Sequence, residues 1–143
     1  MTTMTARLEQ AKTIAVAGCS PRESRPSYRI ARYLQRAGYR VIPVNPNARE
    51  ILGEDCYPSV SRIPADIQID IVDIFRRSRY TAEVVTDTLE RAKATGQWPA
   101  IWTQLAVSSP QAERLASENG LPYIRERCIR VEHARLFGEP GAS

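Results

Sequence analysis

Apolar positions follow two alternating periods along the chain. Lys12 to Ala17 (KTIAVA) is a continuous β-branched apolar run ending at Gly18, the pattern of a strand buried in a parallel sheet. From Pro26 to Gly38 the period changes. Ile30, Tyr33, Leu34 and Ala37 recur at helical spacing, with Pro26 suited to the first helical position and Gly38 to the stop. Tyr39 to Val44 (YRVIPV) predicts a second strand, although Pro43 counts against it, and Asn45-Pro46-Asn47 ends it. Arg49 to Pro64 has no sustained period and reads as irregular, with room for one short strand or helical turn.

The alternation then resumes. Ile69 to Phe75 (IDIVDIF) predicts a third strand with Ile69, Ile71 and Asp73 on one face. Tyr80 to Thr95 predicts an amphipathic helix closed by Gly96, and Ala100 to Leu105 (AIWTQL) a fourth strand with Trp102 in the core. Ser109 and Pro110 predict the cap and first residue of a helix ending at Gly120. Leu121 to Ile124 suggests a fifth strand and Ile129 to Phe137 a closing helix, before a tail over 138–143. Thr2 to Gln10 suggests a short, weak helix at the start.

Strands alternating with helices imply right-handed crossovers, hence an α/β fold: one Rossmann-like, doubly wound parallel sheet of about five strands flanked by helices. A single domain is expected over 1–143, with its core over about 12–137. The expected strand order is 3-2-1-4-5, which puts the topological switch between strands one and four. Ligands bind such sheets beyond the strand C-terminal ends. Attention therefore falls on the segments that follow each strand.

Composition narrows the class. The 143 residues carry 43% hydrophobic and 25% charged residues, as one ordinary globular domain does. No apolar run approaches membrane-spanning length and the N-terminus has no apolar signal core, so a cytoplasmic protein is expected. Cys19, Cys56 and Cys128 are widely spaced, and His133 is the single histidine, which fits neither a disulfide framework nor a metal site. Net charge is +4, and all of the basic residues except Lys12 and Lys93 are Arg. Six of these Arg fall over 22–40 against Glu23 alone, whereas 51–74 holds five acids against Arg62. Opposed charge blocks argue against a nucleic-acid face and for a small polyanion held by guanidinium forks. Arg29, Arg32, Arg36 and Arg40 can equally form a solvated helix face.

The strand ends specify that polyanion further. The first loop holds Gly18, Cys19, Ser20, Pro21, Arg22, Ser24 and Arg25 before Pro26 and Ser27. It has one glycine where a dinucleotide fingerprint needs three, but its hydroxyls, guanidiniums and the following helix N-terminus suit phosphate. A helix N-terminus also predicts a lowered pKa for Cys19. After the second strand, Asn45 and Pro46 stand where NAD readers place an acid, which fits NADP or coenzyme A, both bearing an extra ribose phosphate. Phe75, Arg76 and Arg77 follow the third strand, able to flank a ring or meet phosphate, and Gln104 follows the fourth. Cys128, Glu132 and His133 cluster near the end, where a Cys–His pair is conceivable and a helix-capping His is the simpler reading.

IAVAGCSPRESRPSYRIARYL, VIPVNP, DIVDIFRR, IWTQLAV and RCIRVEHARL, in this order over about 12–137, resemble the small stand-alone CoA-binding domain proteins. These are relatives of the nucleotide-binding domain of the succinyl-CoA synthetase alpha subunit. The resemblance implies coenzyme A or an acyl-CoA as ligand. It implies phosphate contacts at Gly18, Ser20, Arg25, Pro26 and Ser27, the adenosine near Asn45 and Pro46, and the nucleotide and pantetheine bordered by Phe75, Arg76 and Gln104. It implies a binding, sensor or carrier module without catalytic residues or metal. It leaves room for a homo-oligomer or a partner enzyme. The alternative is an NADP-dependent or CoA-transferring enzyme on the same scaffold.

Overall fold

A computed structural model describes residues 4–141. The two threonines assigned above to the start of the first helix, and Ala142 and Ser143 of the tail, lie outside the described residues. Five strands form one parallel sheet: β1 (Thr13–Ala17), β2 (Arg40–Val44), β5 (Ile71–Ile74), β6 (Ala100–Thr103) and β7 (Tyr123–Ile124). The helices are α1 (Met4–Gln10), α2 (Pro26–Arg36), α3 (Ser78–Thr95), α4 (Pro110–Glu118) and α5 (Ile129–Phe137). The irregular stretch after β2 holds a two-stranded antiparallel hairpin, β3 (Glu50–Ile51) with β4 (Glu54–Asp55), and a 3-10 turn at Val60–Arg62.

The observed order is β2-β1-β5-β6-β7. Numbering the five strands consecutively, this is 2-1-3-4-5, not the expected 3-2-1-4-5. Two features explain the difference. Pro43 has no N–H to donate, so β2 belongs at an edge, whereas the expected order would pair it on both sides. Ile71, Val72, Asp73 and Ile74 are all buried, as fits the interior position between β1 and β6. The strand starts at Ile71, so Ile69 packs on the face opposite Ile71 and does not share it.

Side chains alternate between two cores. Ala15, Ala17, Ile42, Val72, Ile74 and Ile101 face α3 and α4 through Val85, Leu89, Ala112 and Ala116. Ile14, Val16, Val41, Ile71 and Trp102 face Leu8 of α1, Ile30, Ala31, Tyr33 and Leu34 of α2, and Ile129 of α5. The chain moves to one side of β1 through α2 and to the other through α3 and α4. Right-handed crossovers in opposite directions put those helices on opposite faces. Capping follows the sequence: Ser109 Oγ accepts from the Ala112 N–H at 3.1 Å, and Gly96 closes α3 in the left-handed conformation.

Candidate functional site

The switch lies between β1 and β5, where the connections leave in opposite directions. Here the chain leaving β1 is pinned from both sides. The Gly18 N–H donates to the Val44 carbonyl at 2.9 Å and the Cys19 N–H to the same oxygen at 3.2 Å. The Phe75 N–H donates to the Ala17 carbonyl at 2.8 Å. Gly18 has φ +84°, and a Cβ there would stand 2.8 Å from the Phe75 carbonyl oxygen and 3.0 Å from Arg76 Cδ. Glycine is required both by the backbone turn and by the approach of the neighbouring loop.

From Gly18 the loop folds over the N-terminus of α2. The Ser20 N–H donates to Ser27 Oγ at 2.9 Å and the Arg22 N–H to Ser20 Oγ at 3.1 Å. Each hydroxyl thus accepts once from the loop and keeps its own hydrogen for another acceptor. Arg25 is the N-cap residue and supplies no side-chain cap, and Pro26 follows in the first turn. The first-turn N–H groups of α2 therefore have no side-chain cap, and they carry the positive end of the helix dipole. Pro21, Arg22 and Arg25 are exposed around this opening, and neither guanidinium forms an ion pair among the described residues.

Asn45 knits the second strand end to the loop. Its Nδ2 donates to the Cys19 carbonyl at 2.8 Å, and its Oδ1 accepts from the Asn47 N–H at 2.8 Å. Next to it a cavity of about 200 Å³ opens between Ala17, Gly18, Val44, Pro46, Val60 and Arg76. Pro58, Ser59, Glu83, Val84 and Asp87 complete its wall. Sequence reasoning missed these last residues as site residues because Pro58 and Ser59 lie in the aperiodic segment, Glu83 and Asp87 read as solvated helix positions, and Val84 read as core. The available signal was topological: the helix leaving the switch strand must begin beside the crevice. The Arg76 guanidinium sits 4.8 Å from the centre of the Tyr80 ring, at the mouth of this cavity.

Other expected residues sit differently. Phe75 is half-buried against the α2-side core. Arg77 is exposed as the N-cap residue of α3. Gln104 is buried, and its Oε1 accepts from the Ile129 N–H at 3.1 Å, capping α5, which leaves the two N–H donors of Nε2 to meet a ligand. Cys19 is fully buried, and its thiol is pushed up to about 12 by burial first, then by Cys56 and Asp73. This reverses the lowered pKa expected from the helix terminus, because the side chain points into the core and not at the helix opening. Cys128 and His133 form no pair. Cys128 is the N-cap residue of α5, while His133 Nδ1 lies 2.8 Å from Tyr33 Oη. His133 is buried, with its pKa lowered by burial against a smaller raising effect of Glu139, and does not act as a surface cap.

Asp73 is the residue whose burial the sequence did not signal. It is fully buried on β5, and neither carboxyl oxygen has a hydrogen-bond partner among the described residues. Burial holds its pKa well above the ordinary carboxylate value.

A five-stranded parallel sheet with helices on both faces and a glycine turn at its switch point is the Rossmann-like α/β architecture. The CoA binding domain family model matches residues 12–134, and the chain belongs to that family. The uncharacterized protein YneT of Bacillus subtilis is 38% identical over 127 residues, covering 89% of each chain. The ADP-forming acetate–CoA ligase II of Archaeoglobus fulgidus is 31% identical over 131 residues, which are 89% of this chain but 18% of that ligase. Among solved structures, a hypothetical protein from Pyrococcus horikoshii OT3 superposes with a TM-score of 0.83 at 37% identity, covering 92% of this chain and 87% of the other. Among the described residues, no helix is long and apolar enough to cross a membrane.

Proposed function

We propose that the protein binds coenzyme A or an acyl-CoA at the β1–β5 switch and acts as a binding, sensor or carrier module. The observation that carries this reading is the uncapped N-terminus of α2, with the Ser20 and Ser27 hydroxyls and unpaired Arg22 and Arg25 around it. That arrangement suits a pyrophosphate. The adjoining cavity suits adenine: Val44, Pro46, Pro58 and Val84 offer apolar contact, and Glu83 and Asp87 offer acceptors for an exocyclic amine. No acid follows β2 before Glu50, so a ribose bearing an additional phosphate meets no carboxylate from Asn45, Pro46 or Asn47. The family supports coenzyme A over NADP.

The enzyme reading has less support. Cys19 is buried with a raised pKa, and His133 is engaged by Tyr33 away from Cys128, so among the described residues neither cysteine is paired with the histidine.

Calorimetric titration with CoA, dephospho-CoA and NADP is the test. CoA is expected to bind tightest, and Arg25→Ala to weaken it about tenfold, the effect of removing one charge-assisted contact. Equal affinity for CoA and dephospho-CoA would remove the role given to the 3′-phosphate. No saturable CoA binding would refute the reading.

A further inference from the structure

The layer formed by α2 and α5 carries a second concentration of positive charge that the proposed coenzyme site does not use. Arg29, Arg32 and Arg36 project from α2, which contains no acidic residue. Arg130, in the first turn of α5, joins them around a notch of about 150 Å³. Like charges along a helix and a cation at a helix N-terminus both oppose folding, so this grouping carries a local cost.

Arg29 and Arg32 are oriented by groups other than acids, and Arg130 by a ring as well as by Glu139. Arg32 stacks over the Tyr28 ring at 5.6 Å and Arg130 over the Tyr33 ring at 5.1 Å. Arg29 Nε donates to the Glu23 carbonyl at 3.3 Å. A stacked guanidinium keeps its in-plane N–H donors available for a phosphate. Glu139 is the acid at the rim, 4.0 Å from Arg130 and itself well exposed.

The notch adjoins a cavity of about 530 Å³ with which it shares Arg36 and Glu139. Tyr39, His133 and the half-exposed Phe137 line that cavity, with the His133 and Phe137 rings 5.0 Å apart. A compact anion alone would use the notch and leave the cavity empty. An acidic peptide would not need the aromatic wall. A molecule with several phosphates and a planar base uses both.

We infer that the α2–α5 face holds a nucleoside polyphosphate, its phosphates among Arg29, Arg32, Arg36 and Arg130 and its base against Tyr39 and Phe137. The site is separate from the β1–β5 switch, so the inference stands whether or not coenzyme A fills that switch.

The experiment titrates ATP, pyrophosphate and a hexaglutamate peptide into the full chain by calorimetry in about 0.15 M salt, where long-range attraction is screened. ATP is expected to bind saturably below about 1 mM and tighter than pyrophosphate or the peptide. Arg32→Ala/Arg36→Ala is expected to weaken ATP at least about tenfold. Arg25→Ala, in the other site, is expected to leave it unchanged. Phe137→Ala is expected to weaken ATP and spare pyrophosphate, and Glu139→Gln to tighten both about twofold. Arg32 is half-buried and the other substituted positions are exposed, so each variant is expected to keep its fold, and thermal melting checks this. The inference fails if ATP does not saturate, if its loss follows Arg25→Ala instead, or if pyrophosphate or the peptide binds as tightly as ATP.

Discussion

Gly18 and Asp73 show how much a single position can carry. Gly18 combines φ +84° with a neighbouring carbonyl 2.8 Å from where a Cβ would be, so Gly18→Ala must move the Phe75–Arg76 loop. A loss of about 1–3 kcal/mol is expected, read as a lower urea midpoint with an unchanged slope. Asp73 makes the opposite prediction. An unfolded Asp ionises near 3.8, whereas folded Asp73 keeps its proton well above that. Its contribution is therefore present in full below the unfolded value and lost as pH rises through the folded one. Asp73→Asn stays neutral throughout. It should melt several degrees above the wild type at pH 7, and the gain should vanish below about pH 4. A melting difference independent of pH would mean that ionisation is not the cause. The glycine was readable from the sequence as a turn beside a strand end. The buried acid was not, because alternation in IDIVDIF looks the same whether one face or both are covered.

Among the elements, β2 illustrates how a local signal can be correct and underused. Pro43 reads as a defect in a strand, yet at an edge its missing N–H removes no ladder bond. Helix limits were mostly legible because caps are local: Pro110 after Ser109, Pro26 after Arg25, and the span Ile129–Phe137 all match expectation. The segment after β2 was not legible, since its order comes from a distant residue. Arg91 on α3 is buried. It donates to the carbonyls of Ile63, Pro64 and Ile67 at 3.2, 2.8 and 2.7 Å and to Gln97 Oε1 at 2.9 Å. Arg91→Ala strands these acceptors and is expected to cost about 3 kcal/mol in chemical denaturation, with Arg91→Lys recovering only part. Hydrogen exchange should show the loss concentrated over 63–70.

Across the whole molecule, α5 returns to the sheet face covered by α2, and His133 ties the two together through Tyr33 Oη. Burial lowers the His133 pKa from 6.5. As pH falls, the unfolded chain takes up this proton first. The stability linked to His133 is therefore present above the unfolded value and lost as pH drops through the folded one. Between about pH 7 and pH 5 this loss opposes the gain from Asp73, so it is read as the difference in melting slope between the wild type and His133→Gln. His133→Gln should remove the His133 share of that pH dependence and cost about 1 kcal/mol at pH 7 through the lost bond. An unchanged slope would assign the acid sensitivity to other groups.

The amino-acid sequence by itself determined the five sheet strands and the five helices, their alternation, the glycine turn after β1, and membership in a CoA-binding family. Each depends on residues near one another in the chain or on a motif that keeps its spacing. Tertiary structure decided the strand order, the burial of Asp73 and Cys19, the use of Gln104 as a cap and of His133 as a helix tie, and the wall that α3 and residues 58–60 give the cavity. Those outcomes depend on which surfaces meet. Desolvation and hydrogen-bond partnership are properties of the assembled interior, where a side chain's chemistry is set by neighbours that its own segment does not contain.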